Sequence, residues 1–151
     1  MKKENHITAF YIEVLLLTLV LIGIVLVLTQ IFAQGRRESA AARELTDAVC
    51  LAQNAAEAFS VCAQPEELCA LLDENGNAAL SFGEQGTVIS AGYDTSLGGD
   101  RDGHFRLTAT WEEEPVEAGR LIRSTITVTS TADGREIYSL QTAAFRKEAA
   151  A

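Results

Sequence analysis

Histidine is almost missing from this chain: of 151 residues only His6 and His104 are imidazoles. His6 precedes a long apolar run, so His104 alone serves everything after it. A Ser/His/Asp or Cys/His site has no supporting motif around it, and the sequence reads as a protein that is not an enzyme. Cysteine is equally scarce. Cys50, Cys62 and Cys69 lack the close paired spacing of zinc ligands. No glycine-rich phosphate loop occurs, which removes the nucleotide-binding motifs. Basic residues are outnumbered, with Lys+Arg 12 against Asp+Glu 21 and a net charge of -9. Nucleic acid is therefore excluded as a partner, because phosphate neutralisation needs clustered Lys and Arg. No cofactor is implied. No repeat or proline-rich linker divides the chain, and its length suits one globular domain.

Charge itself is missing from Val14 to Ala33, a run of twenty residues reading VLLLTLVLIGIVLVLTQIFA. At 1.5 Å per residue such a helix reaches about 30 Å, the thickness of a bilayer's hydrocarbon core. The run is longer than the apolar region of a secretory signal, and Ile31-Phe32-Ala33 makes a poor cleavage site. A single membrane span follows. Lys2 and Lys3 on one side nearly balance Arg36, Arg37 and Arg43 on the other, so charge does not set the orientation. All three cysteines follow the span, which fits an oxidising side for the long segment. The expected topology has a cytoplasmic N-terminus and an extracytoplasmic C-terminal domain. Glu13 stands at the edge of the apolar run. It is either an interfacial carboxylate favoured by the helix dipole or one half of an ion pair inside a helical bundle.

Helical periodicity continues past the span. Ala42, Leu45, Val49, Ala52, Ala56 and Phe59 recur at spacings of three and four, opposite a polar face. A helix from Val14 to Phe59 would hold 46 residues and measure about 69 Å. Gln34-Gly35 is its one soft point. Gln64-Pro65-Glu66-Glu67 opens a second, short helix that runs to Leu72. The period then changes to two. Thr87–Ala91, His104–Trp111, Leu121–Thr129 and Ile137–Thr142 read as strands, with Asp133-Gly134 as a hairpin turn. The expected fold is α+β: a long N-terminal helix, half transmembrane and half amphipathic, packed on a small antiparallel meander of three or four strands. The expected division is a leader or cytoplasmic tail at 1–9, a transmembrane helix at 10–33, its amphipathic continuation at 34–63, a globular domain at 64–147 and a tail at 148–151.

The residues Ala9-Phe10-Tyr11-Ile12-Glu13-Val14-Leu15-Leu16, behind a short basic N-terminus and ahead of an uninterrupted span, resemble the N-terminal signature of type IV prepilins and type II secretion pseudopilins. The resemblance implies a pilin-like body, a minor rather than a major subunit, and a place in a type IV pilus, type II secretion or competence apparatus. It implies assembly by helix bundling, with Glu13 neutralising a neighbour's N-terminal amine and Phe10 beside the processed terminus. The implied partners are the membrane, other pilin-like subunits, an assembly platform and a prepilin peptidase. Cleavage would fall at Thr8 or Ala9, and one of these stands where the family has glycine. Glu13 fits the family's spacing if cleavage follows Thr8, and is one position early if it follows Ala9. The rival expectation is an unprocessed, membrane-anchored extracytoplasmic binding module that does not polymerise.

Three smaller features complete the inventory. Cys62 and Cys69 enclose CAQPEELC, which a disulfide could staple outside the cell; the alternative is two packed thiols. Cys50, beside the helix stripe, is expected to be packed. Asp94, Asp100 and Asp102 crowd a glycine-rich loop, most simply a solvated one. Calcium is the other reading, since hard cations want several oxygens and some major pseudopilins bind it in such a loop. Glu112-Glu113-Glu114 reads as a solvated strand end.

Overall fold

A computed structural model describes residues 2–83, 86–116 and 119–147, with the side chains of 2–9 left out. The expected tail at 148–151 lies outside the described residues. The chain divides into two compact units, Met1–Ala42 and Arg43–Ala151.

The first unit is helix alone. Helix α1 runs from Lys2 to Val61, 60 residues without a break. It therefore begins before the expected Val14 and passes through Gln34-Gly35 unbroken. Every residue from Phe10 to Arg43 is exposed. Thr18 and Thr29 turn their hydroxyls inward, each donating to the carbonyl four residues back at 2.8 Å. That leaves the span's surface apolar, as a lipid-facing helix needs. Among the described residues this is the one helix long and apolar enough to cross a membrane.

The second unit is an α+β fold, in which the last part of α1 packs on a five-stranded antiparallel sheet. Helix α2 spans Pro65–Leu72. The strands are β1 (Ala78–Gly83), β2 (Gly86–Tyr93), β3 (Phe105–Val116), β4 (Gly119–Ser130) and β5 (Glu136–Lys147). They lie in sequence order, each antiparallel to the next. The expected meander has gained a strand. β1 escaped the sequence reading because its only large apolar residues are Leu80 and Phe82, too few to display alternation. β3 also runs on through Glu112–Glu114, which are exposed as expected.

One sheet face is buried. Ile89, Ala91, Phe105, Leu107, Ala109, Trp111, Ile122, Ile126 and Val128 meet Ala48, Leu51, Ala52, Ala55 and Phe59 of α1. This helix stripe is turned from the expected one. Leu45 is 46% exposed, while Ala48 and Ala55 are fully buried. Small residues let the sheet approach the helix closely, and Phe59 then fills the space at the far end. Its ring meets Trp111 edge-on at 5.1 Å. The rotation also corrects Cys50. It is exposed, because it stands away from the face that carries Ala48, Leu51 and Ala55.

The helix runs in the same sense as β3. Glu44 touches His104, and fifteen residues later Phe59 touches Trp111. Fifteen helical residues rise about 22 Å, and the seven strand steps from His104 to Trp111 cover about 23 Å. The two advances match. Because neighbouring strands alternate, β1, β3 and β5 all share this sense with α1.

Candidate functional site

Glu13 is exposed on α1 and has no ion pair or hydrogen bond among the described residues. Phe10, 63% exposed, meets Tyr11 edge-on at 6.4 Å. Thr8 and Ala9 belong to the helical backbone, and their side chains lie outside the described residues. In a membrane this end of the helix presents one carboxylate among apolar side chains. A carboxylate in that setting has no water to solvate it and gains from any cation brought alongside.

A second cluster, unseen in the sequence, ties the helix to the sheet. Glu44 accepts from Arg135 Nη2 at 2.9 Å and lies 3.3 Å from His104 Nε2. His104 also lies edge-on to Phe105, 4.7 Å between ring centres. Asp133 receives the Arg135 backbone N–H at 3.1 Å and fixes the β4–β5 turn. One carboxylate thus holds the start of β3 and the start of β5. The expected role of His104 at a strand start agrees with its place one residue before β3.

At the other end, Arg146 Nη2 donates to the carbonyls of Ser60 and Cys62, at 2.6 and 2.8 Å. These carbonyls end α1 and would otherwise lack partners, and the guanidinium also faces the negative end of the helix dipole. Arg146→Ala should destabilise the second unit by about 2–3 kcal/mol, the usual loss for hydrogen bonds to a charged group. Arg146→Lys should recover part of that, since an ammonium offers charge without the planar fork. Thermal unfolding of both variants checks the order.

The remaining candidates separate. Cys62 and Cys69, the pair expected either as a staple or as packed thiols, are free thiols in this structure. Cys62 is buried under the Arg146 cap, and burial pushes its thiol pKa up. Cys69 is half-buried and pushed up by the same cause. The acidic loop does not converge on a cation. Asp94 Oδ1 spends itself on Ser96 N, Ser96 Oγ and Gly98 N, at 2.8, 2.7 and 2.9 Å. The Ser96 hydroxyl, followed by the backbone N–H groups, lowers its pKa. Asp100 likewise takes the Asp102 N–H at 3.1 Å. Among the described residues no group of three or more His, Cys, Asp or Glu is placed to hold a metal ion. Asp94 and Asp100 instead take up N–H groups of their own loop.

The turn between α2 and β1 is seated on β2 by a buried amide. Asn77 accepts the Glu74 N–H at 2.9 Å and donates to the Gly92 carbonyl at 2.8 Å. At Gly92 any Cβ would overlap the Asp100 carbonyl oxygen, so glycine is required there. Beside it Tyr93 donates its hydroxyl to the Leu72 carbonyl at 3.3 Å. Burial, reinforced by Glu74, pushes its phenol up to about 12. The unfolded chain loses this proton near pH 10. Stability contributed by neutral Tyr93 is therefore complete below pH 10 and lost as pH rises towards 12. Tyr93→Phe should flatten the alkaline limb of a plot of Tm against pH while lowering Tm at neutrality.

On the open sheet face the β3–β4 ladder is interrupted at Thr110 and Trp111, opposite Thr125 and Ser124. The Thr125 N–H donates instead to Thr110 Oγ1 at 2.9 Å. A shallow cavity of about 470 Å³ lies there, lined by Thr110, Glu112, Leu121, Arg123 and Gln141 among others. Arg123 is drawn off to Glu114 at 3.2 Å, and Glu112 is the cavity's other charged side chain. Compared with known protein families, curated proteins and solved structures, the chain matches none.

Proposed function

We propose that this chain is a pilin-like subunit, closest in character to a minor pseudopilin, of a type IV pilus, type II secretion or competence apparatus. It works by packing its N-terminal helix into a bundle with other pilin-like subunits. The observation that carries this reading is α1 itself. Its described N-terminal part is exposed and apolar around its whole circumference, with one unpaired carboxylate at Glu13. The same helix then gains a buried stripe and an antiparallel sheet to cover it. A helix that is apolar all round needs lipid or other helices, and an unpaired carboxylate at its end favours a cationic partner. A neighbouring subunit's N-terminal amine supplies that cation, and the penalty for an unpaired buried charge sets the axial register. Insertion would be single-pass, with the N-terminus cytoplasmic and the sheet domain extracytoplasmic. A prepilin peptidase and an assembly platform would be its other partners.

The second reading is a permanently anchored extracytoplasmic module. It is favoured by the missing glycine at Thr8 and Ala9. The intact mass of the protein from its native membrane, with and without active prepilin peptidase, separates the two. A peptidase-dependent loss of the first eight or nine residues supports the subunit and fixes the register of Glu13. A full-length mass in both samples supports the anchored module.

A further inference from the structure

The sheet is open at both sides, since among the described residues no strand pairs with the outer side of β1 or β5. β1 carries no charged residue, and β5 carries none from Ile137 to Phe145. Neither strand contains proline, and none of their residues is buried. Edge strands usually block further pairing with lysine, proline, inward charges or a covering element. In a chain of net charge -9, copies repel one another over most of their surface. β1 is neutral, and Glu136, Arg146 and Lys147 leave β5 with one net positive charge. The two edges are therefore where like-charged copies can approach.

Direction decides how. The part of α1 in the second unit, β1 and β5 all run the same way. Pairing β5 with β5, or β1 with β1, by a two-fold axis reverses the strand and with it the helix. The α1 residues of the two second units would then run in opposite directions. The common orientation of copies taken from the assembly reading excludes this. Pairing β5 of one copy with β1 of the next keeps every helix in the same sense, and the strands meet parallel.

We propose that neighbouring copies of this chain associate through their sheet edges, β5 of one beside β1 of the next, as a parallel strand pair. This deepens the assembly reading and takes from it only that copies stand in one membrane with a common orientation. The contact is heterologous, since each copy offers one edge and accepts the other, so it extends along a row instead of closing as a dimer. Parallel pairing is slightly weaker per residue than antiparallel, and β1 offers only six residues. The edge contact therefore sets the order of neighbours, and the helices hold them together.

Cysteine cross-linking in the native membrane tests it, in the full chain with exposed Cys50 changed to serine. Gln141→Cys and Ala79→Cys place thiols on the same, open face of the two edges, at exposed positions. Paired strands lie about 4.8 Å apart, within the about 4.4–6.8 Å that a disulfide spans between Cα atoms. Ser139→Cys and Ala143→Cys, each combined with Ala79→Cys or Ser81→Cys, scan the offset along the edge. The expected result is that one β5–β1 mixture links roughly tenfold more than either of its single-cysteine samples, because thiols off that register exceed the reach of a disulfide. No linkage at any offset, or equal linkage of Gln141→Cys to itself, overturns the proposal. Adding Glu13→Ala separates the two readings. An edge link that persists while assemblies are lost keeps the edge pairing and the Glu13 mechanism together. Assemblies of Glu13→Ala that keep the edge link remove the Glu13 mechanism alone, and assemblies of the Glu13 chain that form without any edge link remove the edge pairing alone.

Discussion

Glu13→Ala is expected to leave the protein in the membrane and remove it from assemblies. Insertion depends on the apolar run from Val14 to Ala33, which the substitution does not touch. Removing a carboxylate from its edge makes insertion easier, since such a charge costs about 2.5–3.5 kcal/mol at the centre of a span and less towards the interface. Assembly responds in the opposite sense. If Glu13 neutralises a neighbour's amine, alanine leaves that amine buried and unpaired, a loss of about 3–5 kcal/mol. Each 1.4 kcal/mol is about tenfold, so the contact weakens by roughly two to four orders of magnitude. The readout is the share of variant chain in sedimentable assemblies against the share left in the membrane. Incorporation of Glu13→Ala at the wild-type level would sink the mechanism. Glu13→Gln refines the result, because it keeps the shape and removes only the charge.

Phe59→Ala should produce the largest loss of stability in the second unit. Phe59 is 1% exposed, is the largest side chain that α1 buries, and holds Trp111 edge-on. Truncating a buried phenylalanine to alanine costs about 3–5 kcal/mol, transfer and cavity together. Domains have about 5–15 kcal/mol in all, so the variant should be partly unfolded at room temperature. Trp111 is the only tryptophan in the chain, which makes its fluorescence a direct report on this contact. The wild-type emission should be that of a buried indole, and the variant's should shift to the red. The helical signal of the apolar segment should survive, because every residue from Phe10 to Arg43 is exposed. A variant with unchanged unfolding would show that α1 and the sheet are not held together at Phe59.

Elements whose signal is local were legible in the sequence, and elements fixed by distant partners were not. The span, the short helix behind Pro65, the Asp133-Gly134 turn and the four longer strands each declare themselves within a dozen residues. The face of α1 was legible in part: Ala52 and Phe59 are buried as expected, but the sheet's close approach selects Ala48, Leu51 and Ala55 in place of Leu45, Val49 and Ala56. Cys50 was misplaced by the same rotation. β1 is a strand because β2 pairs with it, not because its own six residues alternate strongly. The clusters around Glu44 and Arg146 join residues 60, 91, 84 and 86 positions apart. No spacing rule reaches that far, although an arginine near the end of the chain and an uncapped helix end at Val61 were both on view. The three aspartates looked like a ligand set because composition alone does not say where each carboxylate is spent. In the fold, Asp94 and Asp100 are committed to nearby donors within four residues.

Those long separations have a consequence for the order in which the protein comes together. Every strand pairs with its neighbour in sequence, so the meander closes through short loops and can zip quickly. The helix is synthesised first, but its partners at His104, Arg135 and Arg146 arrive last. Until β2, β3 and β4 have been made, the stripe from Ala48 to Phe59 lacks the sheet that buries it. The nascent chain therefore carries a sticky helix face through most of its synthesis, and β5 then brings the arginine that closes the helix end. A chain stalled before Arg146 would retain a membrane anchor and a nearly complete sheet, yet leave the end of its helix open to aggregation and proteolysis.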